Sequence, residues 1–404
     1  MEGPLSSEQG WRSESSRVHQ LKIIKERRFM KFTKENMPIY SCPSGDVLYL
    51  NLYKFEGNNG PKIYIQANIH GPEIAGCLVV WELIKFFKKQ KNINGSIILV
   101  PTANPIGLNT QIFSHQIGYF DLNSGKNWNR NYPILINKDS SFLKQFVKKM
   151  KHCQEKNITK EYQKLLKKIL NKKEAGWNIE FPNQLANKLL SLSLGADIVF
   201  DLHTSWGKAP EYVYCYEKDL KKAIFLQVPF IFLLKEDQFE GVFDEALMVP
   251  WFNLQKAFGE GIKKLNVKKQ VYTFELGQDC SLDEIAIKKN VNKLINFLAA
   301  AGVINKKISK KFSIHPFVSW QPNFIKYCAP EGGLLVWLKK PGEKVKKGEV
   351  FGKLISFKEG KTTSLVSPWD GFLLIQHNSQ AVNKGQTIGK FMTNFWKYGG
   401  KDGK

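Results

Sequence analysis

Arginine is almost missing from this chain. Of 404 residues, 60 are lysine or arginine, yet arginine stands only at positions 12, 17, 27, 28 and 130. The formal net charge of +24 is therefore a lysine charge, spread along the whole length. Nucleic-acid readers favour arginine for bidentate contacts and interleave aromatics with a basic stripe. Specific nucleic-acid binding is thus not expected, while weak attraction to acidic surfaces or anionic substrates is. A lysine-biased chain that keeps one guanidinium beyond Arg28 points to a use for the planar fork of Arg130.

Long apolar runs are absent too. Nowhere do about 18 apolar residues follow one another, so no membrane span is expected. The opening MEGPLSSEQGWRSESSRVHQ contains no apolar core of a secretory signal. The six cysteines, at 42, 77, 153, 215, 280 and 328, form no CxxC and no paired spacing. They read as reduced thiols of a cytoplasmic chain rather than a disulfide framework. None carries the local motif of a nucleophile.

What is present is enough for a large core: 43% of the residues are hydrophobic and 13% aromatic. The length favours two domains. Residues 1–20 read as a polar tail. Beyond them, strand-like and helix-like runs alternate. KIYIQANI (62–69) reads as a strand and EIAGCLVVWELIKFFKK (73–89) as a helix; SIILVPTAN (96–104) is again a strand. ADIVFDLH (196–203), EYVYCY (211–216) and QVYTFELG (270–277) follow as strands, with a helix from about 283 to 301. Such alternation predicts an α/β domain over 21–305 with a parallel or mixed sheet flanked by helices. The lysine-rich stretch 134–194 reads as two or three helices packed on that sheet, with a partner-binding lid as the alternative.

After a linker at 306–325, residues 326–395 change character. Short strands, Pro-Gly and Asp-Gly turns, and the echo of Val345-Lys346-Lys347-Gly348 in Val382-Asn383-Lys384-Gly385 predict a small all-β barrel-sandwich domain. It is similar to biotinyl/lipoyl-like domains. Lys358 and Lys361 lack the local motif of a modified lysine, so an unmodified structural appendage is expected, ending in a tail at 396–404.

Four clusters carry chemistry. In Asn68-Ile69-His70-Gly71-Pro72-Glu73 a strand gives way to a helix, and a His and a Glu three apart can converge on one metal ion. Gly71 lets the backbone turn sharply there and Pro72 suits a helix start. In Asp197 to Thr204 another strand ends in a polar cluster, where His203 can supply a third ligand. Period-2 geometry puts Asp201 on the same face, from which it can orient an imidazole; a turn or cap hydrogen bond is the alternative for it. Two histidines, a glutamate and an open position are the ligand set of a catalytic zinc site, with another divalent metal as the alternative. Glu275, at the end of the strand in Thr273-Phe274-Glu275-Leu276-Gly277, suits the general base that hydrolysis by activated water needs. Finally, Asn127-Trp128-Asn129-Arg130 holds the isolated arginine, where Asn129 and Arg130 can grip a substrate carboxylate or a developing oxyanion.

The order HGPE, NPIG at 104–107, NWNR, DLH and FELG resembles the succinylglutamate desuccinylase/aspartoacylase family over roughly 40–300. That family belongs with zinc carboxypeptidases of the carboxypeptidase A type, and many relatives carry a following β domain. The resemblance implies one Zn²⁺ held by His70, Glu73 and His203, with Glu275 as general base and Asn129 and Arg130 on the substrate. It implies hydrolysis of the amide bond of a small N-acylated amino acid or amine. A carboxypeptidase acting on peptides or cell-wall fragments and a catalytically silent binding protein are the alternatives, and a homo-oligomer is compatible with all three. Relatives commonly carry another arginine between the NPIG and NWNR motifs. Here Leu108 to Trp128 has none; Gln111, His115 and Tyr119 occupy it, with His115 the candidate substitute donor and a loop histidine without function the alternative.

Overall fold

The computed structural model describes residues 30–176, 178–259, 265–278, 282–306 and 313–399. The expected N-terminal tail at 1–20 and Cys280 lie outside them. In chain order the strands are β1 (Lys31–Ser41), β2 (Val47–Glu56), β3 (Asn58–Ala67), β4 (Asn94–Val100), β5 (Gln111–Ile112), β6 (His115–Gln116), β7 (Ile198–Ser205), β8 (Gly207–Lys208), β9 (Tyr212–Tyr216), β10 (Phe230–Leu234) and β11 (Gln270–Gln278). The C-terminal strands are β12 (Phe317–Trp320), β13 (Phe324–Cys328), β14 (Gly333–Trp337), β15 (Glu343–Val345), β16 (Val350–Ser356), β17 (Lys361–Val366), β18 (Gly371–His377), β19 (Ala381–Val382), β20 (Thr387–Met392) and β21 (Trp396–Lys397). The helices are α1 (Ala75–Lys88), α2 (Pro105–Asn109), α3 (Ser141–Met150), α4 (Glu155–Glu174), α5 (Phe181–Ser193), α6 (Leu220–Ala223), α7 (Phe243–Gly259) and α8 (Glu284–Ala300).

Ten strands form one mixed sheet in the order β1-β2-β4-β3-β7-β11-β9-β10-β12-β21. Its centre, β4-β3-β7-β11, is parallel. Such strands are covered on both faces and read as continuous apolar runs. Along β3, Ile63, Ile65 and Ala67 point into one core with α1 and α8, while Tyr64 points into the other. That second core contains α3, α4, α5 and α7, so three helices do occupy the lysine-rich stretch and pack on the sheet. No helix among the described residues is long and apolar enough to cross a membrane.

Three features depart from the sequence reading. Strands β1 and β2 add an antiparallel flap to the sheet. Helix α7 was not foreseen, because it is buried nearly all round and contains Pro250, which hides the amphipathic stripe. The expected linker contains β12, which pairs in parallel with β10, and the expected C-terminal tail begins with β21, which pairs with β12. Both are short aromatic segments that complete the sheet edge instead of bridging two bodies.

Downstream lie two smaller sheets, β13-β20-β18-β15 and β17-β16-β14-β19, closed around Leu335, Phe351, Leu354 and Phe391. Aromatic packing joins this β region to the large sheet: Tyr212, Phe230 and Phe232 meet Phe372, Leu374 and Met392 in one buried cluster. Strand β8 also pairs with β18. The seam fixes the β region over one end of the central strands.

Candidate metal centre

The carboxyl ends of the central parallel strands are where ligands gather in open α/β sheets. Three of them, β3, β7 and β11, deliver the candidate residues. Directly after β3, Asn68 takes a positive φ of 65° and its side-chain amide donates to the carbonyls of His70 and Gly71 at 2.9 and 3.0 Å. Asparagine tolerates this left-handed conformation better than most residues. The turn is thus made by Asn68, and α1 starts at Ala75 rather than at Glu73.

Gly71 has a different task from the sharp turn assigned to it. A Cβ there would sit 1.9 Å from the carbonyl oxygen of Gly107, so the position is glycine for close approach. This explains the NPIG motif. Asn104 caps α2 by accepting from the Gly107 amide at 2.9 Å and donates to the Ile69 carbonyl at 2.9 Å. The motif is a clip that locks the loop carrying His70 and Glu73.

Within that loop the two side chains meet a third. Nδ1 of His70 lies 2.8 Å from Glu73 Oε1, and Nδ1 of His203 lies 2.8 Å from Glu73 Oε2. All three residues are buried, and their donor atoms lie within 4.8 Å of one another. Two imidazole nitrogens and a carboxylate are the donors that borderline divalent metals take, so this trio could hold a metal ion. The outer ring nitrogens are held as well. Nε2 of His70 is 3.0 Å from Asn127 Oδ1 and Nε2 of His203 is 2.9 Å from Asp201 Oδ2. In a neutral ring each acceptor favours the tautomer with its proton on Nε2, which leaves the Nδ1 lone pair for a ligand bond. The chain continues inward: Gln66 Nε2 donates to Asp201 Oδ1 at 3.0 Å and Tyr64 donates to Gln66 Oε1 at 2.9 Å. Asp201 is 1% exposed. Burial works against the protonated His203 ring, but the charges of Asp201 and Glu73 outweigh it and raise its pKa. Burial likewise pushes the Glu73 carboxyl up, and the two imidazoles hold it well below the usual carboxylate range.

Glu275 stands beside His203 in the parallel pairing of β11 with β7. Its Oε2 is buried without a hydrogen-bond partner. Burial, reinforced by Glu73 and Asp201 against the pull of His203 and Lys390, raises its pKa. Glu275 shares a cavity of about 580 Å³ with His70, Glu73, Asn129, Arg130 and His203. Asn129 accepts from the Phe243 amide at 3.1 Å and faces Nε2 of His203 at 3.4 Å. Arg130 is exposed at the cavity, and its Nη1 donates to the Asn129 carbonyl at 2.7 Å.

His115 is a correction. It sits exposed on the β5–β6 hairpin and is not among the residues lining the cavity, because the hairpin turns it outward; Tyr119 lines the wall instead. The sequence reading also missed Asn127 as a partner of His70. It missed Tyr212 and Tyr214 on β9, Asp244 and Glu245 on α7, and the lysines of the β region. The expectation that this region is a mere appendage fails: Lys326, Ile375, Thr387 and Lys390 all line the cavity.

Comparison with known proteins adds an independent line. Residues 59–228 match the family model described as the succinylglutamate desuccinylase/aspartoacylase catalytic domain. A succinylglutamate desuccinylase/aspartoacylase family protein from Shewanella amazonensis SB2B has a similar structure, with a TM-score of 0.84 and 29% identity, over 90% of this chain and 100% of that one. A second, from Shewanella frigidimarina NCIMB 400, superposes with a TM-score of 0.85 and 26% identity, over 91% and 99% of the two chains. A succinylglutamate desuccinylase/aspartoacylase from Rhodobacter sphaeroides shares the fold at a TM-score of 0.64 and 16% identity, over 93% and 97%. Comparison with curated proteins gave no match. On these likenesses and the order of its motifs, residues 59–228 are similar to the catalytic domain of the succinylglutamate desuccinylase/aspartoacylase family.

Proposed function

We propose that this protein is a zinc-dependent hydrolase that cleaves the amide bond of a small N-acylated amino acid or amine. The observation that carries the reading is the convergence of two Nδ1 atoms on the Glu73 carboxylate beside the unpartnered, buried Oε2 of Glu275. The match to a deacylase family supports the reaction class. Zn²⁺ suits this donor set, and one ion per chain would be held by His70, Glu73 and His203. When bound it would supply Lewis acidity at the scissile carbonyl and lower the proton affinity of a water within reach.

The remaining steps belong to the protein. Glu275 takes a proton from the attacking water, whose oxygen bonds to the acyl carbon. It returns that proton to the amine nitrogen as the C–N bond breaks, so that carboxylate and amine leave. Arg130 offers a guanidinium to the developing oxyanion or to a substrate carboxylate. Asn129, fixed by the amide of Phe243, positions the polar end of the substrate beside it. Asn127 and Asp201 keep both ligand rings in the required tautomer.

Amine release from a panel of N-acyl amino acids and short peptides, with zinc-loaded protein, tests this. Release from acyl amino acids that stops on chelation and returns with zinc is the expected result. Turnover confined to peptides would replace the reading with a carboxypeptidase, and no turnover beside a tightly held zinc would replace it with a silent binding protein.

A further inference from the structure

Helix α7 starts without a cap of its own. The Val242 carbonyl accepts from the Ala246 amide at 3.1 Å, which puts Val242 at the capping position with a side chain that offers no acceptor. The free amides of a helix start then need partners from elsewhere. Asn129 supplies one: its Oδ1 accepts from the Phe243 amide at 3.1 Å across 114 residues of sequence. Glu245 supplies the other. It is 4% exposed, stands in the first turn, and reaches back to accept from the amide of Glu240, with the amide of Val242 also steadying its charge. Asp244 seats the same turn on β11. One of its oxygens accepts from the Glu245 amide at 2.8 Å and the other from Thr273 Oγ1 at 2.8 Å.

The loop that Glu245 holds lies against the chain around Arg130. Gly241 has a positive φ of 79°, and its carbonyl accepts from the Tyr132 amide at 3.1 Å. A Cβ on Gly241 would come 2.9 Å from the Arg130 carbonyl oxygen, so the two backbones touch. The segment Asn129–Tyr132 is thus gripped at Asn129 by the first amide of α7 and at Tyr132 by Gly241. Arg130 itself donates from Nη1 to the Asn129 carbonyl at 2.7 Å. Among the described residues no carboxylate forms an ion pair with it. The direction of its guanidinium therefore follows the backbone that carries it.

We infer that Glu245 is a positioning residue for Arg130, clasping the loop before α7 so that this loop and the helix start together aim the guanidinium into the cavity. The inference rests on the hydrolase reading for what Arg130 does there, but the clasp itself is also tested without turnover.

All measurements use the zinc-loaded full chain, with N-acyl amino acids as substrates. Glu245→Ala should lower kcat/KM about tenfold to a hundredfold, the scale on which a displacement of about 1 Å acts. Glu245→Gln keeps an acceptor oxygen and should restore most of the loss. In an Arg130→Met background, Glu245→Ala should cost less than about twofold, because its effect passes through the missing guanidinium. An equal loss in both backgrounds would make Glu245 merely structural and overturn the inference, as would wild-type kcat/KM in Glu245→Ala. Gly241→Ala presses on the Arg130 carbonyl while leaving Glu245 in place, and should show the same dependence on background. It decides the matter if the melting temperature or zinc content shows that Glu245→Ala is misfolded. Amide hydrogen exchange reads the clasp alone: the Tyr132 and Phe243 amides should exchange faster in Glu245→Ala while those of α1 keep their protection. Unchanged exchange overturns the inference. If no N-acyl substrate is turned over, the hydrolase reading fails while the exchange comparison still decides the clasp.

Discussion

Replacing Asp201 by asparagine removes one charge and one acceptor while keeping the shape. In the wild type, Asp201 Oδ2 accepts from Nε2 of His203 and Oδ1 accepts from Gln66. Asparagine has a single acceptor oxygen, so one of the two contacts must change. If the oxygen stays on His203, the new amide group faces the Gln66 donor. Turning Gln66 over relieves that clash only by presenting its amide to Tyr64, a buried hydroxyl that now donates to Gln66. If the amide faces His203 instead, the imidazole proton moves to Nδ1 and the ligand lone pair is lost. Losing the charge on a 2.9 Å contact costs about 1 kcal/mol, since charge-assisted hydrogen bonds are roughly twice as strong as neutral ones. A compromised donor in a buried network adds about 1 kcal/mol more. The sum corresponds to a zinc affinity lowered roughly 10- to 100-fold, the range found for partners of metal-bound histidines. Competition against a chromophoric chelator measures it, with the melting temperature of the chelated protein as a control for the fold. An affinity within twofold of wild type would refute the reasoning and return Asp201 to a purely structural role.

Other perturbations read other parts of the site. Glu275→Gln should keep zinc and lose about 10²- to 10⁴-fold in kcat, as removal of a general acid–base group does; unchanged turnover would take Glu275 out of the mechanism. Gly71→Ala sets a Cβ against the Gly107 carbonyl, so it should cost about 1–3 kcal/mol of stability and weaken zinc binding; wild-type values of both would sink the clip argument. Burial raises the Glu245 carboxyl to about 7 from about 4.5. The folded state then holds the extra proton between those values, and its contribution to stability falls as pH rises through that window. Glu245→Gln should flatten the decline by about 1–3 kcal/mol in denaturant titrations at pH 4.5 and 7.5; an unchanged slope would show that Glu245 does not titrate there.

Much of the molecule could be read locally. The central strands and α1 announce themselves through apolar runs and helical spacing, because a parallel strand covered on both faces needs such runs wherever it sits. His70, Glu73, His203 and Glu275 were legible for a related reason: each follows or closes a strand, and strand ends in this architecture point to one place. Helix α7 was not legible, since a helix buried all round has no stripe and Pro250 argues against it. Nor was the choice between His115 and Tyr119, which depends on which way a two-residue hairpin faces.

What the sequence by itself determined is the chemistry available: two imidazoles and carboxylates at strand ends, one guanidinium beyond Arg28, and an α/β core to carry them. Tertiary structure alone decided who their neighbours are. Asn127 reaches His70 across 57 residues, and Gln66 reaches Asp201 across 135. Lys390 enters the cavity because an aromatic seam docks the β region on β9 and β10. Local propensity depends on a few adjacent residues. Hydrogen bonds and unbalanced charges depend on distance in space, which only the packed chain sets.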